Sequence, residues 1–245
     1  MSQLRLVQVF ALAVVVLLIA LTPLQWALHA ASAEQRGLTA QSATGTIWAG
    51  QLKAARLGGV ALGDVDLGLD VVGLFLGAGR AWFDAQDPIV AGGVIALTGS
   101  RSGISSLNAS LPLEAVMSQA PVRGRLTLKD VDLEFRHGVC RSAGGQITLD
   151  QMSLPGGFPL APKLVLSGEP SCREGRVVAP LSGLADGVAI DLLISLDAAG
   201  RYRLETVLRA TNPQFATLPA LSGFERTMEG FRRVDEGRVA GHAPN

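Results

Sequence analysis

Strict alternation of apolar and non-apolar residues recurs along most of this chain, and it restricts the fold more than any other feature. In residues 65–71, Val65, Leu67, Leu69 and Val71 fall on one side of an extended backbone, and Asp66, Gly68 and Asp70 on the other. A period of two sends successive side chains to opposite faces of a sheet, so one face is buried and the other meets water. The pattern returns in residues 121–135, through Val122, Gly124, Leu126 and Leu128. After a shift at Lys129-Asp130 it resumes through Val131, Leu133 and Phe135. Such a shift predicts a bulge or a tight bend.

The series closes as a hairpin. Val188, Ile190, Leu192, Ile194 and Leu196 lead to a turn at Asp197-Ala-Ala-Gly200, and Tyr202, Leu204, Thr206 and Leu208 alternate back. Weaker strands are expected near 46–57, 80–85, 92–98, 104–111, 145–149, 163–167 and 176–179. One-faced alternation argues for antiparallel pairing with a solvated side. Twenty-nine glycines and twelve prolines agree with many turns. Short helices are expected at 113–118, 213–218 and 222–231, the last from the helical spacing of Phe224, Met228 and Phe231. Residues 238–245 read as a flexible tail.

The N-terminal run Val-Phe-Ala-Leu-Ala-Val-Val-Val-Leu-Leu-Ile-Ala-Leu at 9–21 has no polar side chain. Extended over residues 4–26, it reads as one transmembrane helix, because about 20 apolar residues cross roughly 30 Å of hydrocarbon. Pro23 and Trp26 would emerge at the far interface, a position Trp favours. Arg5 precedes the run, and Arg36 is the first cation after it, a small bias toward an internal N-terminus and an exported domain. A cleaved signal peptide is the rival reading, since Ala31-Ser-Ala33 has the form of a cleavage site. That site lies twelve residues beyond Leu21, which favours an uncleaved anchor. The organisation expected is an N-tail and anchor at 1–28, a polar linker at 29–44, a periplasmic β domain at 45–237 and the tail.

Export decides how the two cysteines, Cys140 and Cys172, are read. In an oxidising compartment a disulfide is the better reading, whereas in a reducing cytosol they would be unrelated thiols. Closing a loop of this length stabilises a fold by roughly 3–4 kcal/mol in the chain-entropy description.

Charge is balanced, with 21 basic and 21 acidic residues and no run of five like charges. Neither nucleic acid nor an anionic membrane surface is therefore suggested by the linear sequence. Catalysis has little to stand on. A hydrolytic nucleophile needs a base, and of His29, His137 and His242 only His137 falls within the predicted domain. Gly99-Ser-Arg-Ser-Gly103 carries arginine where a nucleophile elbow needs serine. His137-Gly-Val-Cys140 lacks the second pair that a zinc site requires. Asp64/Asp66 and Asp130/Asp132 read as surface charge. The expectation is a non-enzymatic protein without metal or cofactor.

Several segments in order carry a resemblance. They are Thr-Pro-Leu-Gln-Trp at 22–26, Gly-Thr-Ile-Trp-Ala-Gly at 45–50, the 65–71 strand leading to Gly-Leu-Phe-Leu-Gly at 73–77, and Leu-Pro-Leu at 111–113. Val-Arg-Gly-Arg-Leu-Thr-Leu at 122–128, the cysteines and Leu-Ser-Gly-Phe-Glu-Arg-Thr-Met-Glu-Gly at 221–230 follow. Together they resemble the type II secretion system protein N family over nearly the whole chain. The resemblance implies an accessory inner-membrane component of a pathway that exports folded proteins across the outer membrane. It would have a single-pass anchor, a periplasmic β domain and other secretion components as partners. Gly45, Trp48, Gly50, Phe224 and Gly230 are the candidate partner-contact or core-packing residues. The strand–turn–strand rhythm is also similar to AsmA-like proteins. That likeness implies a curved open sheet or half-barrel and an alternative role in handling lipid.

Overall fold

A computed structural model describes residues 3–35, 37–58, 60–75, 79–98, 100–117, 123–154, 158–159, 163–210 and 223–239. Two helices open the chain, α1 (Gln3–Ala20) and α2 (Leu24–Ala30). The helix expected to run unbroken to Trp26 is therefore two helices. Pro23, in extended geometry, is the N-cap of α2, and a proline has no N–H to continue the preceding helix. Among the described residues no helix is long and apolar enough to cross a membrane. The 18 residues of α1 rise about 27 Å at 1.5 Å each, slightly less than a hydrocarbon core. Its apolar side chains are nonetheless turned outward, with Phe10 70% and Leu18 66% exposed.

A single antiparallel sheet follows. Its first half comprises β1 (Leu38–Thr39), β2 (Ser42–Gly45), β3 (Gly50–Leu57), β4 (Val60–Leu69), β5 (Gly79–Pro88), β6 (Val90–Thr98), β7 (Arg101–Pro112) and β8 (Arg123–Arg136). Its second half comprises β9 (Val139–Leu154), β10 (Phe158–Pro159), β11 (Leu166–Gly168), β12 (Ser171–Arg173), β13 (Arg176–Ala185), β14 (Val188–Leu196), β15 (Arg201–Ala210), β16 (Glu225–Thr227) and β17 (Gly230–Arg238). One-turn helices α3 (Val71–Phe75) and α4 (Leu113–Val116) interrupt it.

The sheet is a meander. From β3 to β9 each strand pairs with the next. The ladder then passes through β11 to β13, β14, β15 and β17. β1 and β2 flank β3, and β16 flanks β17. The sheet stays open. Residues 38–39 and 42–44, within the stretch read as a linker, are thus part of it.

The alternation read from sequence is the packing pattern. Val188, Ile190, Leu192 and Ile194 of β14 are buried, as are Tyr202, Leu204 and Leu208 of β15. They share a cluster with Leu126 of β8, Leu149 of β9, Leu166 of β11 and Leu181 of β13. Leu149, Leu166 and Leu204 are 0% exposed. A lone flat layer would leave such side chains wet, so this part of the sheet rolls over its own apolar face. Leu113 of α4 and the following Met117 cover it. Smaller clusters lie under β3–β5 and β7.

Bulges supply the curvature. The shift at Lys129 lies between the pairs Lys129↔Gln146 and Asp132↔Gly144, and Asp130 has φ +48°. Further irregularities fall between Leu52 and Ala55 and between Ile104 and Leu107. Their residues Ala54 and Ser106 also have positive φ. The Asp64 carboxylate accepts the Ala54 amide at 3.0 Å, and the Asp132 carboxylate accepts the Ser106 amide at 2.9 Å. Carboxylates expected to be plain surface charge thus satisfy amides that bulging removes from the ladder.

Residues 222–231 are not helical where described. Phe224 is buried, but β16 and β17 form a hairpin through Thr227↔Gly230, with Met228 fully exposed at its tip. Gly230, at φ +133°, lies outside helical geometry. The predicted helix at 213–218, Val122, Gly77 and residues 240–245 lie outside the described residues.

Candidate functional site

The clearest built feature is the junction between the N-terminal helices and the sheet, made by Gly-Thr-Ile-Trp-Ala-Gly. Gly45 pairs with Gly50 at the end of β2 and β3, and the Thr46 amide donates to the Ala49 carbonyl at 3.1 Å to close the turn. Gly45 has φ +85°, and a Cβ there would meet the Ala49 oxygen at 2.6 Å. A Cβ on Gly50 would meet Leu24 Cδ2 at 2.7 Å and the Thr44 oxygen at 2.9 Å. The first glycine supplies the backbone conformation, and the second supplies space for α2.

Three hydrogen bonds, one of them belonging to an isolated bridge, bind the helices to the turn and to β2. Trp48 Nε1 donates to the Ala20 carbonyl, the last of α1, at 3.1 Å. The Ile47 amide donates to Thr22 O at 3.1 Å. Pro23 bridges to Thr46, and Gln25 Nε2 donates to Ala43 O at 2.8 Å. Helix ends leave carbonyls without partners, and this turn provides some of those partners. Trp48 is half-buried and backed by Gly68 of β4, where a Cβ would meet the Trp48 carbonyl at 2.1 Å. Sequence reading passed over Gly68; a glycine on the polar side of an otherwise alternating strand was its only signal. An open cavity of about 360 Å³ between α2 and the first strands is lined by Gln25, His29, Glu34 and Leu38.

Phe224 and Gly230 lie elsewhere. Phe224, 5% exposed, joins the main core. A Cβ on Gly230 would meet the Leu208 oxygen at 2.5 Å, so this glycine lets β17 leave its hairpin against β15. The five residues therefore form two sets, one at each end of the sheet.

Cys140 and Cys172 form a disulfide, with Cα atoms 5.6 Å apart. It ties β9 to β12, and the Cys140 amide donates to Gly175 O at 2.9 Å. His137 lies in the β8–β9 turn at φ +51°, its amide donating to Ser100 O. Among the described residues no three His, Cys, Asp or Glu side chains gather into a metal-binding group.

At the far edge of the sheet, β16 covers only Gly230, Phe231 and Arg232 of β17. Among the described residues no strand pairs on the outer side of residues 234–238. A bidentate Arg233–Asp235 ion pair and the Arg203–Glu236 pair line this edge, charges of the kind that discourage indiscriminate strand addition.

These features define a β scaffold, curved, disulfide-tied and mounted on an N-terminal helix, whose built contacts join one element to another. The chain belongs to the type II secretion system protein N family, whose model matches residues 36–232. That span runs from just before β1 into β17. No curated protein and no solved structure matches the chain.

Proposed function

We propose that this protein is an accessory assembly component of type II secretion. In this reading α1 holds it in the inner membrane, its sheet stands in the periplasm, and it makes contacts with other secretion components rather than catalysing a reaction. The family match carries the reading. The outward apolar surface of α1 supports the anchor, since a contiguous exposed apolar patch that includes Phe10, Leu17 and Leu18 is of the kind that marks a membrane or protein contact. A disulfide supports an oxidising compartment. The outer side of β17 is the sheet edge where a partner strand could pair.

Photo-crosslinking in secreting cells tests this. A crosslinkable residue at Val234 or Glu236 is expected to capture a specific secretion component, while the same residue at Leu184, exposed in β13, captures none. Equal, unspecific capture from both positions would remove β17 as the docking edge.

A lipid-handling role has one observation in its favour. Over β5–β7 the apolar face is incompletely covered, with Ile95 38% exposed and Phe83 and Ile104 half-buried. Acyl chains co-purifying with the protein, and lost on Ile95→Glu, would move the function toward lipid.

A further inference from the structure

The meander brings together charges that are far apart in sequence. Every second turn of an antiparallel meander falls at the same end of the sheet, and one end is marked by the helix junction. Contacts trace it strand by strand. The Ile47 carbonyl accepts the Leu69 amide, and the Arg80 carbonyl accepts the Asp70 amide. β6 and β7 turn at Thr98↔Arg101. The Ser100 carbonyl then accepts the His137 amide, and the Gly175 carbonyl accepts the Cys140 amide. Val177↔Leu196 leads to the β14–β15 turn, and the Gly200 carbonyl accepts the Val239 amide at the end of β17.

Along this rim, arginine faces arginine three times across neighbouring strands: Arg101↔Arg136, Arg173↔Arg176 and Arg201↔Arg238. Like charges directly opposite one another are destabilising. The opposite end, with Leu57↔Val60 and Ala185↔Val188 at its hairpins, has no such pair among the described residues. Partial compensation exists: Asp197 holds Arg201 at 2.7 Å and Glu134 stands 3.8 Å from Arg136. Arg101, Arg173, Arg176 and Arg238 are exposed and have no carboxylate partner among the described residues. Exposed apolar side chains lie at the same end, Val71 and Leu74 on α3 and Val139 beyond the β8–β9 turn. An open cavity of about 760 Å³ among Gly138, Glu174, Arg176, Ala198 and Arg238 is part of it.

We infer that this arginine rim is a membrane-facing surface that rests on the anionic phospholipid headgroups of the bilayer holding α1. Three observations fix the occupant. The rim begins at the turn that grips the C-terminal end of α1, so it is the end of the domain presented to that bilayer. Its repeated arginine pairs need anions spread over a surface, which phosphodiester headgroups provide and a single compact anion does not. Its exposed valines and leucine suit the boundary between headgroups and acyl chains. The inference rests on the membrane-anchored reading above.

Hydrogen exchange on the full chain in lipid nanodiscs tests it. In discs containing phosphatidylglycerol, amides of the turns at 136–139, 173–176 and 197–201 are expected to exchange at least about tenfold more slowly than in discs of phosphatidylcholine alone, because each cation at an anionic surface contributes roughly a fivefold factor. The turns at 58–60 and 185–188 are expected to exchange equally in both. High salt, and the variant R101Q/R136Q/R176Q/R238Q, are expected to erase the difference; retained protection at 185–188 shows that the variant is folded. Incorporation into discs with identical rim exchange in both lipids overturns the headgroup surface and leaves the anchor standing. Failure of the full chain to incorporate into any disc overturns both. Rim protection that appears only on adding an acidic secretion component, and in neither lipid alone, assigns the surface to a protein and overturns the membrane assignment.

Discussion

At the scale of single residues, a few atoms at close quarters matter more than chemical character. Gly68→Ala places a methyl group against the Trp48 carbonyl, where an ideal Cβ would stand 2.1 Å away. The backbone must yield, and overpacking of this kind costs about 1–3 kcal/mol. Urea unfolding is expected to show that loss, together with red-shifted tryptophan emission as Trp48 leaves the junction. Thr206 points the other way. It is 1% exposed in the core and its hydroxyl has no hydrogen-bond partner. An orphaned buried hydroxyl costs about 1–3 kcal/mol, so the isosteric Thr206→Val is expected to raise the urea midpoint. Asp197 sets a pH dependence. Burial pushes its carboxyl up, but hydrogen bonds from the Arg201 side chain and amide, the Arg201 charge and the Ala199 amide outweigh this and hold it below the ordinary range. A depressed carboxyl contributes stability above its unfolded value, about 3.9, and loses it as pH falls through the lower folded value. Asp197→Asn is therefore expected to be the less stable form near neutrality and to converge with the parent in acid, measured by urea midpoints across that range.

At the scale of elements, what was legible in the sequence is what depends on near neighbours. The alternation at 65–69 and at 188–208 became β4, β14 and β15, whereas Val71, expected on the same apolar strand face, opens α3 and is exposed. The Asp197–Gly200 turn formed as expected, with the Asp197 carboxylate accepting the Ala199 and Arg201 amides. Lys129-Asp130 became a bulge. Partners distant in the chain account for the rest. The spacing of Phe224, Met228 and Phe231 fits a helix face, yet pairing with β15 made Phe231 a strand residue and left Met228 at a hairpin tip. β1 and β2 have almost no apolar pattern of their own; they are strands because β3 offers its edge. Nothing local shows that Asp132 will meet the Ser106 amide, 26 residues away. Of the site residues, Gly45, Trp48 and Gly50 were found as a motif, but their task of holding α1 and α2 emerges only in three dimensions. The disulfide acts on the same elements. It spans 32 residues, and its loss is expected to cost about 3–4 kcal/mol by the chain-entropy relation. The paired change Cys140→Ser with Cys172→Ser, read as a lower thermal midpoint under non-reducing conditions, checks this.

At the scale of the whole molecule, the junction leaves no slack between α1 and the sheet. Trp48, Ile47 and Gln25 all bind across it, so motions of α1 are expected to be passed to the sheet instead of being absorbed in a hinge. Fluorescence anisotropy of a probe at Leu184 is expected to report slow, disc-like tumbling in the parent chain in nanodiscs. Inserting a flexible Gly-Ser segment after Leu21 is expected to make it faster. Unchanged anisotropy would show that the junction is already loose.

The meander also settles the order in which the protein can be made. Because nearly every strand pairs with one synthesised shortly before it, a chain delivered N-terminus first meets each partner already in place. β4 can add to β3, and β8 to β7, before the later strands exist. Cys172 reaches Cys140 before β14 or β15 has emerged. Among the described residues the last strand, β17, adds to β15 and leaves residues 234–238 without a neighbour on the outer side.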